Sequence, residues 1–168
     1  FPEILELFDF ANPSLVTGRR DVSTVAPQAL FLMNHPFVHT QARLTAERLL
    51  SEAGLGLLSI FVANPRQVRP LRCLTMTLPG GEVDELLFDW LSELLFLFES
   101  EHWLLCRFEI AVNETTGTAV DGSLEAKAWG EPAGPRHELD HEVKAITYHG
   151  LKVEQQDGRW LAEVIVDI

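Results

Sequence analysis

The chain has 168 residues, of which 46% are hydrophobic and 23% charged, values typical of one globular domain. Its 25 acidic side chains outnumber 13 Lys and Arg, which gives a formal net charge of −12. With so few cations, the composition argues against a protein that binds DNA or another phosphate backbone over a broad basic face. The acidity favours metal cations or a basic protein as the partner.

The charge is unevenly distributed along the chain. Residues 1–54 carry a net charge of −2, and residues 55–168 carry −10. No run approaches the roughly 18 apolar residues that a membrane helix needs, so we expect no membrane partner. Cys73 and Cys106 lie far apart in the sequence without a CxxC spacing, which is typical of a reducing, cytoplasmic compartment.

The hydrophobic pattern predicts two long helices and five strands. A helical run from Pro27 to Met33 is followed by an amphipathic helix from about Gln41 to Pro65. The clearest helix begins at Val83, where apolar residues recur at helical spacing as far as Phe98. Residues with strand composition occupy 68–78, 103–112, 119–129, 143–153 and 159–168. This order predicts an α+β fold, a mainly antiparallel sheet with two helices packed on one face.

The segment His137-Glu138-Leu139-Asp140-His141 matches the H-E-x-x-H pattern of zinc hydrolases. That pattern binds zinc only on a helix, where the two histidines share one face. Here Pro132, Gly134 and Pro135 precede it and a strand follows, which leaves no room for a helix. A polar loop is the stronger interpretation, and a zinc hydrolase is the weaker one.

The last two strands form a predicted hairpin, because Asp157-Gly158 suits a tight turn. Two registers are possible, and both place Asp167 opposite residues 146–148, two to four residues from Lys144. A carboxylate, a lysine and the Ile168 carbonyl then share one end of the hairpin. Taken alone, this arrangement is more often an ordinary surface ion-pair neighbourhood than a functional site. Two oxygen donors are also too few for a hard cation.

Several stretches from about residue 49 onward resemble the archease family, the acidic cofactor of the RNA-splicing ligase. The resemblance is carried by Leu-Leu-Ser-Glu-Ala-Gly-Leu-Gly-Leu-Leu at 49–58, Leu-Leu-Phe-Asp-Trp-Leu-Ser-Glu-Leu-Leu-Phe at 86–96, Trp-Gly-Glu at 129–131, Glu-Val-Lys-Ala-Ile-Thr-Tyr-His at 142–149 and Val-Ile-Val-Asp-Ile at 164–168. It implies a strand-helix-strand-strand unit and a role in tRNA splicing and RNA repair. Archease is not itself a ligase, but promotes guanylylation of the ligase and multiple turnover.

The same resemblance assigns roles to residues. It implies that Lys144 and Asp167 are essential for activation, and that Asp167 and the Ile168 carbonyl hold a weakly bound divalent ion, Ca²⁺ or Mg²⁺/Mn²⁺. The expected partner is the RNA-splicing ligase, with only indirect contact to tRNA or broken RNA. The Asp-His-Thr-Ala-Asp strand that opens archease, and supplies a further ligand, is absent from this chain and apparently replaced.

Residues 1–48 form a predicted helical and loop segment of unknown function, and residues 49–168 form the archease-like domain. Leu7-Phe8-Asp9-Phe10, Gly18-Arg19-Arg20 and the run from Thr24 to Asn34 resemble the C-terminal end of a planctomycete domain of unknown function. The alternative to an active cofactor is therefore an inactive or misjoined archease-like structural domain. Asp9 and Asp21 are candidates for the missing ligand.

Overall fold

The computed structural model describes residues 36–113, 123–156 and 159–168. The chain divides into two compact units, Phe1–Arg43 and Leu44–Ile168. The elements, in chain order, are helix α1 (Pro36–Phe61), a 3-10 turn (Pro65–Gln67), strand β1 (Arg72–Pro79), helix α2 (Val83–Glu101) and strands β2 (Trp103–Asn113), β3 (Ser123–Pro132), β4 (Ala145–Gln156) and β5 (Arg159–Asp167). The predicted run Pro27–Met33, together with Asp9 and Asp21, lies outside the described residues.

The strands confirm the predicted α+β fold with antiparallel pairing. Strand β3 lies between β1 and β2, and β4 pairs with β5 in a separate hairpin. The succession β1, α2, β2, β3 is the expected strand-helix-strand-strand unit. The predicted single sheet is divided in two because Pro132 ends β3, and a turn that contains Pro135 then carries the chain away from the ladder.

Helix α2 supplies much of the core, as its apolar spacing predicts. At its N-terminus the Glu82 N–H donates a 3.3 Å hydrogen bond to the Glu85 side chain, as in one half of a capping box, and the Glu85 N–H donates to Asp84 Oδ1 at 3.0 Å. The indole N–H of Trp90 donates a buried 2.9 Å hydrogen bond to the carbonyl of Leu50, which joins α2 to α1. The buried residues of α2 are Leu86, Leu87, Trp90, Leu91, Leu94 and Leu95.

Helix α1 ends against the segment that follows β3. The Asp140 N–H donates to the carbonyl of Phe61 at 2.9 Å, and the His141 N–H donates to the carbonyl of Ile60 at 3.1 Å. These bonds satisfy carbonyl groups that a helix C-terminus otherwise leaves without partners.

Within the described residues, no helix has both the length and the apolar content needed to cross a membrane.

Candidate functional site

The β4–β5 hairpin keeps one register near its turn and another near its base. Gln156 pairs with Arg159, so only residues 157–158 separate the strands, the tighter of the two predicted turns. The ladder then continues to Lys152 and Glu163. Three extra residues of β4 are accommodated before the ladder resumes at Thr147 and Ile165, in a bulge that contains Gly150 at φ +76°.

The bulge brings Lys144 and Asp167 closer together than their sequence positions suggest. Asp167 faces Ala145 and not a residue in the predicted range 146–148. The backbone N–H of Lys144 donates a 2.7 Å hydrogen bond to the carbonyl oxygen of Asp167. The two residues are therefore direct neighbours on adjacent strands, and this part of the expected site is held by the backbone alone.

Buried neighbours hold this end of the hairpin in place. Val143 is 1% exposed and Ile146 is 8% exposed, so both sides of Lys144 are anchored in the core. Lys144 and Asp167 are themselves exposed, and within the described part of the chain neither forms an ion pair. An ammonium group and a carboxylate are thus both presented to solvent on a rigid support.

Asp167 and Ile168 provide oxygen atoms, the type of ligand that a hard cation prefers, but they provide too few of them. Calcium takes about six to eight oxygen ligands, and magnesium also needs a complete shell. In residues 36–113, 123–156 and 159–168, no group of three or more His, Cys, Asp or Glu side chains is placed to hold a metal ion. These two residues alone do not make a cation site, and further oxygens would have to come from water or another molecule.

The H-E-x-x-H segment does not form a zinc site in the described structure. It follows a turn at residues 135–136 and contains no helix, and Leu139 forms a bridge to Val62. The His137 side chain is 2% exposed, and its Nδ1 accepts a hydrogen bond from the Gly134 N–H. The His141 side chain is 55% exposed and lies 3.2 Å from Asp140. The two histidines share no helical face, so the loop interpretation is correct for the fold of this segment.

A buried carboxylate, Glu131, forms a polar centre that the sequence analysis did not identify. One of its oxygens accepts a 2.6 Å hydrogen bond from the Arg69 N–H and also contacts the Arg136 guanidinium. The same oxygen lies 3.4 Å from Nε2 of His137, a buried nitrogen with no hydrogen-bond partner in the described structure. The only sequence signal was a glutamate directly after a tryptophan and a glycine near the end of a strand.

The environment of Glu131 sets its ionisation. Burial alone would raise the pKa of Glu131, but the Arg69 N–H, the Arg136 guanidinium and His137 outweigh it and hold that pKa below its ordinary value. The nearby Cys106 responds in the opposite direction, because burial first, and then the Glu131 charge, raise the pKa of its thiol. A charged Glu131 therefore joins the start of β1 to the loop after β3, a stabilising role.

Gly130 is required at its position by a close approach of two backbones. Strand β2 bulges at Cys106, between the pairs that Leu105 and Arg107 make with β3. A Cβ atom on Gly130 would overlap the Leu104 carbonyl oxygen and lie 2.8 Å from its carbonyl carbon. Only glycine fits here without a shift of the backbone, which explains the residue between Trp129 and Glu131.

These features define an α+β protein with a strand-helix-strand-strand core and a second hairpin that carries an exposed Lys–Asp pair at its base. The sequence model of the archease protein family matches residues 38–168. The chain belongs to the archease family.

Known relatives agree with this assignment. The chain is 40% identical over 126 residues to protein archease of Methanopyrus kandleri, which covers 74% of this chain and 86% of the relative. It is 34% identical to protein archease of Pyrococcus furiosus over the same shares of both chains. The solution structure of Methanobacterium thermoautotrophicum protein 1598 superposes with a TM-score of 0.63 at 28% identity, over 73% of this chain and 85% of that one.

Proposed function

We propose that this protein is a non-catalytic cofactor that activates an RNA-splicing ligase. In this proposal it promotes guanylylation of the ligase and multiple turnover in tRNA splicing and RNA repair. The ligase is the direct protein partner, and tRNA or broken RNA is contacted only through it. Family membership supports the general class, and the base of the β4–β5 hairpin supports the specific site.

One observation carries the proposal. Lys144 and Asp167, to which the archease resemblance assigns the activating role, are direct neighbours joined by a 2.7 Å backbone hydrogen bond. Because the backbone makes this bond, both side chains remain available to a partner. The backbone beneath the pair is already fixed, so a second protein that binds there has only the two side chains to order.

The net charge of the chain is consistent with a basic protein partner. The chain carries −12 overall, so its long-range attraction is for a positively charged surface and not for RNA itself. Oxygen atoms of Asp167 and Ile168 are the proposed contribution of this chain to a divalent ion, Ca²⁺ or Mg²⁺/Mn²⁺. Water or the partner would complete the shell.

A second candidate function is a structural domain that keeps the archease fold without the activity. It is favoured by the shortage of ligands, because the described residues place no group of three or more His, Cys, Asp or Glu side chains where it could hold a metal ion. In that case Lys144 and Asp167 would be ordinary surface residues, and their replacement would change nothing that the ligase does.

Ligase guanylylation distinguishes the two candidates. The cognate RNA-splicing ligase is incubated with labelled GTP, with and without this protein, and covalent enzyme–GMP is measured over time. The proposal expects faster guanylylation and more than one ligation per ligase molecule. Lys144→Ala and Asp167→Ala should each reduce the acceleration about tenfold, which corresponds to about 1.4 kcal/mol.

Matched controls lie on the same two strands. Lys152→Ala and Glu163→Gln remove a lysine and a carboxylate that face each other on the far side of the bulge. Both variants should activate the ligase as the unchanged protein does. The proposal is wrong if the protein leaves guanylylation unchanged at every divalent-ion concentration, or if the controls lose as much acceleration as the two test variants.

A further inference from the structure

Helix α1 and strand β5 are separated by an open apolar groove of about 400 Å³. Its walls come from one face of the helix and from the inward face of the strand, and Leu91 of α2 lies at its floor. The β5 residues that line the groove are all partly or largely exposed to solvent, whereas the residues of the hydrophobic core are buried. The residues that line the groove include Ala53, Gly56 and Ile60 of α1 and Ala162, Val164 and Val166 of β5.

Strand β5 also has an unpaired edge in the described structure. It pairs with β4 on one side, and none of the other described strands pairs with its second side. Ile165, which does not line the groove, is 49% exposed, and Leu161, which does, is 45% exposed. An open edge with apolar side chains is a template for another strand, and natural proteins usually cover or block such an edge.

Gly56 shows that the groove has room to be filled. A Cβ atom built on this glycine would meet no other atom within 4 Å. Gly54, one half-turn earlier on the same helix, is different, because a Cβ there would lie 2.9 Å from the Phe108 ring. The face of α1 that carries Gly56 is therefore open, whereas the face that carries Gly54 is closely packed.

Charge distinguishes one end of the groove from the other. A second cavity of about 790 Å³ shares Leu49, Glu52 and Trp160 with the groove, and its charged lining residues are Arg48, Arg159 and Glu52. Neither arginine forms an ion pair within the described part of the chain. Two unpaired arginines beside one carboxylate are a local excess of positive charge in a protein of net charge −12.

We propose that the groove docks an extended segment of a partner polypeptide, which pairs with the edge of β5 that no described strand occupies. Antiparallel pairing is the more stable arrangement and is the one assigned here. Alternate apolar side chains of the segment would lie against Val164 and Val166, and an acidic residue near its C-terminal end would face Arg48 and Arg159. This mode of recognition takes affinity from backbone bonds and specificity from alternate side chains. It does not depend on the ligase proposal.

A synthetic peptide tests the inference directly. The N-acetylated, C-amidated peptide TVTVTVTE places three valines and the glutamate on one face, in the order that the groove requires. Titration into the full chain should change the fluorescence of the half-exposed Trp160 and slow hydrogen exchange at every second amide of β5. Replacing the glutamate of the peptide by lysine should weaken binding about tenfold at low salt.

Gly56→Leu fills the groove and should abolish peptide binding. The variant is expected to fold, since leucine favours a helix more than glycine does and nothing obstructs its first side-chain atom. Ser59 is exposed on the same helix and does not line the groove. Ser59→Leu is therefore the matched control and should bind the peptide as the unchanged protein does. In the double variant Arg48→Ala and Arg159→Ala, the preference for the acidic peptide should disappear.

Three results would overturn the proposal. The first is that neither peptide binds, or that Gly56→Leu binds as well as the unchanged protein. The second is that the edge amides of β5 are already protected in dilute protein, because the remaining residues of the chain would then cover the groove. The third is protection that grows with protein concentration, which would show that a second copy is the occupant.

Discussion

The backbone N–H of Lys144 lies 2.7 Å from the carbonyl oxygen of Asp167 and donates a hydrogen bond to it. The side chains of the two residues take no part in this bond. A substitution can therefore change the side-chain charges without changing the backbone register, or change the register by removing the N–H. A variant that removes the side chain keeps the register, whereas a variant that removes the N–H does not.

Lys144→Pro is expected to destabilise the hairpin base, and Lys144→Ala is not. Proline has no N–H, and loss of one intramolecular hydrogen bond costs about 1 kcal/mol in the free energy of unfolding. The exposed alanine variant should stay within about 0.5 kcal/mol of the unchanged protein. Urea unfolding of the two variants measures the difference, and equal stabilities would show that the bond to Asp167 contributes nothing.

Gly130→Ala is expected to be strongly destabilising, by about 3 kcal/mol, because its new methyl group has no space beside the Leu104 carbonyl. Gly134→Ala is the matched control, since a Cβ there would meet nothing within 4 Å. That variant should lie within about 0.5 kcal/mol of the unchanged protein. Thermal unfolding of both variants gives the comparison, and a stable Gly130→Ala protein would mean that the β2 bulge can relax.

The charge on Glu131 predicts how stability depends on pH. Its folded pKa lies below the ordinary value of 4.5, so the carboxylate stabilises the fold fully above that value. This stabilisation is lost as the pH falls through the lower, folded pKa. The urea midpoint of the unchanged protein should therefore fall on acidification below pH 4.5.

Glu131→Gln should lower stability at neutral pH and flatten the acid side of the profile, because glutamine does not titrate. Glu109→Gln removes a carboxylate from an exposed pair with Arg107 and should leave the profile almost unchanged. If the two variants give the same profile, the buried cluster around Glu131 is not the source of the acid sensitivity.

Calcium or manganese is expected to bind weakly, because Asp167 and Ile168 provide too few ligands by themselves. A dissociation constant of about 10⁻³ M or higher is anticipated for the isolated protein. Asp167→Asn should remove the binding, and Glu163→Gln should not. Isothermal titration with CaCl₂ measures both, and affinity in the micromolar range would require carboxylate ligands beyond the described residues.

Zinc at one equivalent is expected to remain unbound by the H-E-x-x-H segment. His137 is buried against Glu131, whereas His141 points toward solvent, so the two rings cannot share an ion without unfolding the loop. Equilibrium dialysis followed by metal analysis tests this expectation. Tight zinc binding that His141→Ala abolishes would restore the hydrolase hypothesis.

The parts of the fold that could be predicted are those with local signals. Helix α2 carries a continuous apolar stripe with acidic residues before and within its first turn. As expected, six residues of that stripe are buried: Leu86, Leu87, Trp90, Leu91, Leu94 and Leu95. The tight turn of the last hairpin follows from Asp157-Gly158, and the observed register near the turn is one of the two predicted. The class of fold then follows from the order of the elements.

The parts that could not be predicted depend on residues far apart in the chain. Glu131 is held by the backbone N–H of Arg69, 62 residues earlier, and no spacing rule connects them. The bulge in β4 has no local signal except Gly150, yet it moves Asp167 to a different partner. The neighbourhood of Lys144 and Asp167 was therefore predictable, but the direct contact between them was not.

The bulge also directs a side chain toward α2. The Tyr148 hydroxyl donates a 3.0 Å hydrogen bond to Asp84, and its ring meets Phe88 edge-on at 5.5 Å. Residues 148–151 absorb the whole difference in length between the two strands. We therefore expect the bulge to take up residues added to or removed from β4 while Lys144 and Asp167 stay aligned. The same four residues allow the two strands to differ in length and keep the base of the hairpin constant.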